Sequence, residues 1–239
     1  MASSTGGRSE SNIEMCGRYA LYSPTSRIRE QFDLDDEFDF EPRYNIAPTT
    51  QVLIVQAGPQ GERLAKLHRW GLIPSWAKDV TIGAKLINAR GETVAEKPSF
   101  RAAFRRWRCI VPANGFYEWK ATQESGRTIK QPYFIRPQDE GDLFGFAGLT
   151  ERWVSPECEE IHTCCIITTE ANASMMPIHD RMPVILAPND YGTWLAANTP
   201  GDMLRALLRP SESGDMIAYP VCRAVNSSRG DSPTFVEPA

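Results

Sequence analysis

Histidine is scarce in this chain, with three residues among 239, and none stands in metal-ligand spacing with another histidine or with a cysteine pair. That excludes the usual structural zinc patterns, and the expectation is a protein with no metal and no cofactor. The six cysteines form no Cys-x-x-Cys pair, and adjacent Cys164 and Cys165 cannot easily bridge each other. Residues 1–14, MASSTGGRSESNIE, lack the apolar stretch of a secretory signal. Free thiols in a reduced, cytoplasmic setting are therefore expected. Small, polar and glycine-containing, 1–14 read as a disordered N-terminal extension, a tag or a removable propeptide. No apolar run approaches the length of a membrane span, so no membrane partner is expected. Repeats, low-complexity tracts and dividing linkers are missing too, which leaves one domain over 15–230 and a flexible tail over 231–239.

What is present is enough apolar material for one good core, 41% of the chain. The charge is uneven. Seven acids and no base fall within 30–41, and setting them aside turns the net charge of −4 into +3 for the remainder. Four arginines crowd into 101–108 (Arg101, Arg105, Arg106, Arg108), with Arg18, Arg69 and Arg90 elsewhere. Such a cluster makes either a basic binding face or a solvated helix face, and charge alone leaves the partner undecided.

Short β-rich segments dominate. Strand composition occurs at 17–22, 51–56, 62–70, 109–111, 115–119, 132–135, 143–150, 162–169, 182–186 and 218–225. The pair 51–56 and 62–70 flanks Gly58-Pro59-Gln60-Gly61, a hairpin signal. Ser23-Pro24 opens a short helix that ends near Phe32. Residues 43–48 read as an ordered turn, 93–107 as a helical pattern interrupted at Pro98, and 190–197 and 201–208 as two late helices. The predicted fold is α+β: one domain with a largely antiparallel, curled or barrel-like sheet system and peripheral helices. Residues 226–239 read as frayed.

Four stretches carry chemistry-bearing side chains. Met15-Cys16-Gly17-Arg18-Tyr19 places a cysteine directly after a methionine. Freed at its amino end, Cys16 would carry an α-amine and a thiol on one residue. The amine condenses with an aldehyde, and the thiol closes a thiazolidine on the resulting imine. With a reference pKa near 7.7–8.0, about a tenth of an α-amine is uncharged at pH 7, a few hundred times the fraction for lysine. The plainer reading is a buried cysteine opening a strand. Asn88 and Arg90 stand two apart and face one side of an extended chain. Glu118 sits among Phe116, Tyr117 and Trp119. It is either a carboxyl whose pKa is raised for acid–base work or a glutamate on the wet face of a strand. His179 lies in a charged loop and is either a proton-transfer group or a surface cap.

The blocks Met15-Cys16-Gly17-Arg18-Tyr19, Arg43-Tyr44-Asn45-Ile46-Ala47-Pro48, Trp70-Gly71-Leu72-Ile73-Pro74-Ser75-Trp76, Ile87-Asn88-Ala89-Arg90, Gly115-Phe116-Tyr117-Glu118-Trp119-Lys120 and Ile178-His179-Asp180-Arg181-Met182-Pro183 follow one another in the order of a known family. The chain resembles the SOS-response-associated peptidase (SRAP) family from residue 15 to about 230.

That resemblance implies the SRAP fold and a sensor of abasic sites in single-stranded DNA. Such a sensor forms a thiazolidine DNA–protein crosslink through an amino-terminal cysteine, exposed by cleavage of the peptide bond before it. By position, Cys16 matches the crosslinking nucleophile, Asn88 and Glu118 the polar pair, and His179 the active-site histidine. Arg18 and Arg90 match arginines near the DNA phosphates, and Asn45, Pro48 and Trp76 fall in blocks lining the DNA cleft. The resemblance further implies abasic single-stranded DNA as partner, a monomer, and a cytoplasmic location, on the nucleoid in a bacterium. A general thiol peptidase and a non-covalent reader of modified or single-stranded DNA are the alternatives. Two departures stand out: fourteen residues precede Met15, and 83–86 lack the proline expected before Ile87. While the residues before it remain attached, the Cys16 nitrogen is an amide, and the chain is expected to bind DNA without closing the thiazolidine.

Overall fold

Two sheets share the strands, and one of them closes on itself. The computed structural model describes residues 16–239. In chain order the elements are β1 (Tyr19–Leu21), α1 (Thr25–Phe32), β2 (Arg43–Ile46), β3 (Gln51–Ala57), β4 (Arg63–Trp70), β5 (Asn88–Arg90), α2 (Arg101–Arg106), β6 (Arg108–Ala113) and β7 (Gly115–Glu124). There follow β8 (Arg127–Pro137), β9 (Phe144–Val154), β10 (Glu160–Glu170), β11 (Arg181–Pro183), β12 (Ile185–Leu186), α3 (Tyr191–Leu195), α4 (Gly201–Ala206) and β13 (Met216–Pro220). Short 3₁₀ segments fill several connections, among them Val80–Lys85, Arg223–Asn226 and Pro233–Val236.

The open sheet runs in the order β13-β8-β7-β1-β2. In the other, β10, β4, β3, β6 and β9 pair in turn, and β9 pairs again with β10, which closes a five-stranded barrel. Closure removes the free edges that an open sheet of this size would expose. It depends on one parallel join, Thr163 and Cys164 of β10 beside Arg69 and Trp70 of β4. The short strands β5 and β11 extend β10, and β12 extends β9. Gly71 leaves β4 with φ of +131°, and a Cβ there would lie 2.6 Å from the Gly83 carbonyl oxygen, so the loop after β4 is pinched shut by two glycines.

Side-chain alternation decides what faces what. On β1, Tyr19 and Leu21 join the main core while Ala20 turns to a smaller cluster; on β7, Phe116 joins the main core and Tyr117 the smaller one. The open sheet therefore buries both faces, one on the barrel and one under the carboxyl-terminal segment. That segment corrects the frayed reading of 226–239. Phe235 is buried in the small cluster, Val221 pairs with Pro238, and the Ala239 N–H donates to the Pro220 carbonyl. Residues 43–46, expected as a turn, form the edge strand β2 and pair with β1. The helical pattern expected over 93–107 becomes a run of turns with true helix only at α2, because Pro98 breaks the ladder.

Candidate active site at the chain entry

Cys16 and Glu118 are 102 residues apart and meet in the structure. The backbone nitrogen of Cys16 donates to Glu118 Oε1 at 2.7 Å, and both residues are buried, 3% and 2% exposed. Glu118 shares the face of β7 that carries Phe116, so its carboxyl points between the open sheet and the barrel, away from solvent. The wet-face reading of this residue is thereby excluded. Burial pushes the Glu118 carboxyl up from its ordinary value. The charge that His179 can carry offsets part of that rise, as do hydrogen bonds from Cys16 and the Trp119 N–H. Burial also pushes the Cys16 thiol well up, reinforced by the negative charge and hydrogen bond of Glu118. The positive charge of Arg181 opposes it. Cys16 itself has φ of +49°, a left-handed conformation that a residue with a Cβ rarely adopts.

His179 approaches from the loop between β10 and β11. Its Nδ1 accepts the Arg181 N–H at 3.1 Å and also lies 3.0 Å from Asp180 Oδ1. These contacts suit the two forms of Nδ1: bare, it accepts from Arg181, and carrying hydrogen, it donates to Asp180. A ring with a partner in either state suits proton transfer.

Arg18 shares the β1 face of Ala20 and so turns toward the carboxyl-terminal segment. Its guanidinium donates to Asn45 Oδ1 at 2.7 Å and to the Val225 carbonyl at 3.0 Å. Asn45 in turn donates to the Ser227 and Gly230 carbonyls at 2.9 and 2.8 Å. Gly17, Arg18, Trp119, Lys130 and Asn226 line a cleft of about 240 Å³ beside the chain entry. A larger groove of about 780 Å³ opens elsewhere, near α1 and 209–215, and includes none of the predicted site residues.

Asn88 is half-buried on β5 beside Ile166, and Arg90, two residues on, is exposed. Pro48 is half-buried in the turn after β2, where the Thr49 N–H donates to the Trp70 carbonyl. Trp76 stands 58% exposed on the loop after β4, which Trp153 Nε1 anchors through the Ala77 carbonyl at 2.8 Å. The structure thus gathers Cys16, Glu118 and His179 into one locus and Arg18 with Asn45 into another alongside it. Among the described residues, Trp76 and Arg90 make no hydrogen bond or ion pair to either.

Sequence reasoning gave no role to Arg181 or Glu92. Arg181 forks onto both Glu92 carboxylate oxygens, one at 2.9 Å and the other closer, and its Nη2 donates to the Thr168 carbonyl at 2.9 Å. This pair ties the His179 loop to the segment following β5. Its partners are 89 residues apart, and opposite charges at that separation leave no local pattern to find. Trp119 and Asn226, joined at 2.7 Å across 107 residues, were missed for the same reason. Among the described residues, no group of three or more histidine, cysteine or acidic side chains could hold a metal ion. Nor is any helix long and apolar enough to cross a membrane.

Barrel and sheet define an α+β class in which the nitrogen of an entry cysteine rests on a buried carboxylate. The chain matches the family described as SOS response associated peptidase (SRAP) over residues 15–228, and it belongs to that family. Among curated relatives, the abasic site processing protein YoqW of Bacillus subtilis is 47% identical, over 93% of this chain and 99% of its own. The abasic site processing protein YedK of Escherichia coli is 32% identical over 94% and 100%, and HMCES of Gallus gallus 32% over 94% and 78%. A crystal structure of a protein from Bacteroides thetaiotaomicron superimposes with a TM-score of 0.82 at 28% identity, covering 94% of this chain and 100% of that one.

Proposed function

We propose that this protein senses abasic sites in single-stranded DNA and captures them covalently through Cys16, once the peptide bond before Cys16 is cut. One contact carries the reading: the Cys16 nitrogen 2.7 Å from the Glu118 carboxylate. After cleavage that nitrogen is the α-amine, and the carboxylate beside it takes the proton that an ammonium must lose before it attacks. The relatives named abasic site processing proteins supply the substrate class.

The ring-opened abasic sugar presents an aldehyde. The Cys16 amine adds to its carbon, water departs, and an imine remains. The thiol then adds its sulfur to the imine carbon and its proton to the nitrogen, closing a thiazolidine. Glu118 accepts and returns the protons exchanged at nitrogen and sulfur. His179 donates to the sugar oxygen as the ring opens, and Asn88 orients the amine. Arg18, Arg90, Pro48 and Trp76 form the DNA-facing set, with the buried Asn45 holding the Arg18 guanidinium from behind. Arginine suits phosphate through its planar fork, and a tryptophan stacked on a base contributes roughly 1–3 kcal/mol.

Self-cleavage fits the backbone. A left-handed cysteine costs on the order of 1–3 kcal/mol while an amide precedes it, and cutting that amide releases the restraint at φ of +49°. A general thiol peptidase fits less well. Its cysteine needs an accessible, readily formed thiolate, whereas burial here holds the thiol protonated.

The test uses protein beginning at Cys16 and an oligonucleotide with one abasic site. A heat-stable adduct with the parent chain, absent with Cys16→Ala, supports the reading. No adduct from the parent overturns it, and undiminished non-covalent binding alone would leave a reader of DNA instead. Intact mass of the full chain reports whether residues 1–15 have been removed.

A further inference from the structure

We infer that the outer face of α2 is a second nucleic-acid contact, which holds the phosphates of the strand flanking the captured nucleotide. Arg101, Arg105 and Arg106 are all exposed on this short helix, with Lys97 exposed just before it and Trp107, 58% exposed, just after. Among the described residues none of these four cations enters an ion pair or a side-chain hydrogen bond. Arg108, the fourth arginine of the cluster, differs: it is buried and donates to the Phe104, Trp194 and Ala196 carbonyls.

Helix stability does not explain the exposed three. Cations favour a helix carboxyl end, which accounts for Arg105 and Arg106. Arg101 stands in the first turn, where the helix dipole repels it and no acid offsets it. Arg101 and Arg105 are also four apart, a spacing at which like charges destabilise. General basicity does not explain them either, because the chain carries −4 with a pI near 5.5. A locally unfavourable run of cations ending in an exposed indole is what a polyanion with stackable bases would stabilise.

The patch follows closely in the chain on Arg90, one of the predicted DNA-facing arginines. From Arg90 on β5, successive turn hydrogen bonds (Thr93 N–H to Arg90, Lys97 to Thr93, Arg101 to Lys97) lead without a break into α2. A strand passing the exposed Arg90 thus comes to Lys97 and the α2 arginines next along the chain, beyond the exposed Glu92, which Arg181 neutralises, and Glu96. The inference rests on the reading that the chain handles single-stranded DNA, but it concerns binding and not capture.

The experiment compares the parent with a triple variant, Arg101→Gln, Arg105→Gln and Arg106→Gln, and separately with Trp107→Ala. Affinity for intact oligonucleotides, without any lesion, is measured in short and long forms over a range of salt. The triple variant should bind the long form about tenfold to a hundredfold more weakly, with a salt slope shallower by about two. Affinity for the short form, which reaches only the entry site, should hold. Trp107→Ala should weaken the long form with no change in slope. Crosslinking of an abasic oligonucleotide at saturating protein should proceed at the parent rate in both. Equal affinity and slope in parent and triple variant, with parental melting temperatures, would falsify the inference. Loss of crosslinking at saturation with long-form binding intact would overturn it as well, since α2 would then act on capture. A parent that binds the long form yet never crosslinks defeats the covalent reading and leaves this one standing.

Discussion

Of four buried cysteines, three lie in the barrel and one at the entry to the open sheet, and the difference between them bears on the proposed chemistry. Cys109, Cys164 and Cys165 lie in the barrel strands β6 and β10, and burial pushes each thiol up, Cys165 and Cys109 with Cys164 adding to the rise. Cys16, at the entry to the open sheet, is as buried and its thiol is raised as well. Acidity therefore does not set it apart. What sets it apart is the neighbour: apolar side chains surround the barrel thiols, whereas Cys16 faces a carboxylate with a histidine and an arginine behind it. The barrel supplies rigidity on both flanks of β10, and the open sheet supplies a buried charge where barrel and sheet meet. Under the proposed capture, reactivity comes from proton acceptors placed at the seam, not from an exposed or acidic thiol.

The sharpest way to break this comparison is to remove the charge at the seam and keep its shape. Glu118→Gln, in protein beginning at Cys16, should slow adduct formation by about 10²- to 10⁴-fold, the range for losing a positioned acid–base group. The pH signature has a definite sign. A carboxyl whose folded pKa is raised binds protons in the folded state that the unfolded chain has released, so stability declines as pH rises above the ordinary glutamate range. Glu118→Gln removes that decline, and its melting temperature at pH 7 should match or exceed the parent's. A normal crosslinking rate, or a collapse in melting temperature, would show Glu118 to be a packing residue.

Most strands could be read from composition, because β-branched and aromatic runs between turn residues are local signals. The hairpin β3–β4 followed from Gly58-Pro59-Gln60-Gly61, and the barrel-like sheet from the density of short strands. Closure could not be read: it depends on the parallel β4–β10 join between residues about ninety apart, which no local pattern encodes. The same limit hid the docking of 226–239, whose polar and proline-rich composition conceals one decisive apolar residue, Phe235. The candidate site came from ordered motif blocks, since Cys16, Glu118 and His179 taken singly each had an ordinary alternative and Asn88 alone carried no signal. For Glu118 the alternation on β7 was the right signal, but the sequence could not say that both faces of that strand are covered.

Phe235 offers a second cut, directed at the sheet and sparing the barrel. Phe235→Ala empties the middle of the cluster formed with Ala20, Tyr117, Phe134, Val221 and Val225. The cost should be about 3 kcal/mol in denaturant unfolding, the low end for burying and then removing a phenyl ring. Amide exchange should accelerate in β8 and β13 while β3, β6 and β9 stay protected. Uniform acceleration throughout would mean that sheet and barrel unfold as one unit.

A barrel-side counterpart is His68 on β4, whose ring centroid lies 5.3 Å from that of His162. Burial, then the charge of His162, lowers its pKa to about 4 from 6.5. Between those values the unfolded chain holds the extra proton, so stability falls as pH drops from 6.5 toward 4 and flattens below. The full loss is on the order of 3 kcal/mol. His68→Phe should flatten the difference in unfolding free energy between pH 7 and pH 5, and an unchanged difference would assign the acid sensitivity elsewhere.

The smallest expected effect probes how the two regions are held in register at the site. Arg181 pairs with Glu92 on one side and its charge reaches Cys16 on the other, so the Arg181–Glu92 fork fixes the His179 loop to the segment following β5, within reach of the open sheet's Cys16. Hydrogen bonding from Arg181 holds the Glu92 carboxyl below its usual range, which keeps the pair intact at neutral pH. The pair is half open to water on the Glu92 side, so breaking it should cost less than about 1 kcal/mol of stability. Its effect on geometry should be larger. Glu92→Gln should slow adduct formation about tenfold at saturating DNA, because misplacing a proton donor by a fraction of an ångström is enough to lose that much. Affinity for intact DNA should be unchanged, and Glu92→Asp should restore part of the rate by keeping the charge while shortening the reach. If Glu92→Gln instead weakens binding and leaves the saturated rate alone, Arg181 serves the DNA and not the histidine loop. The seam would then be positioned by the barrel strands alone.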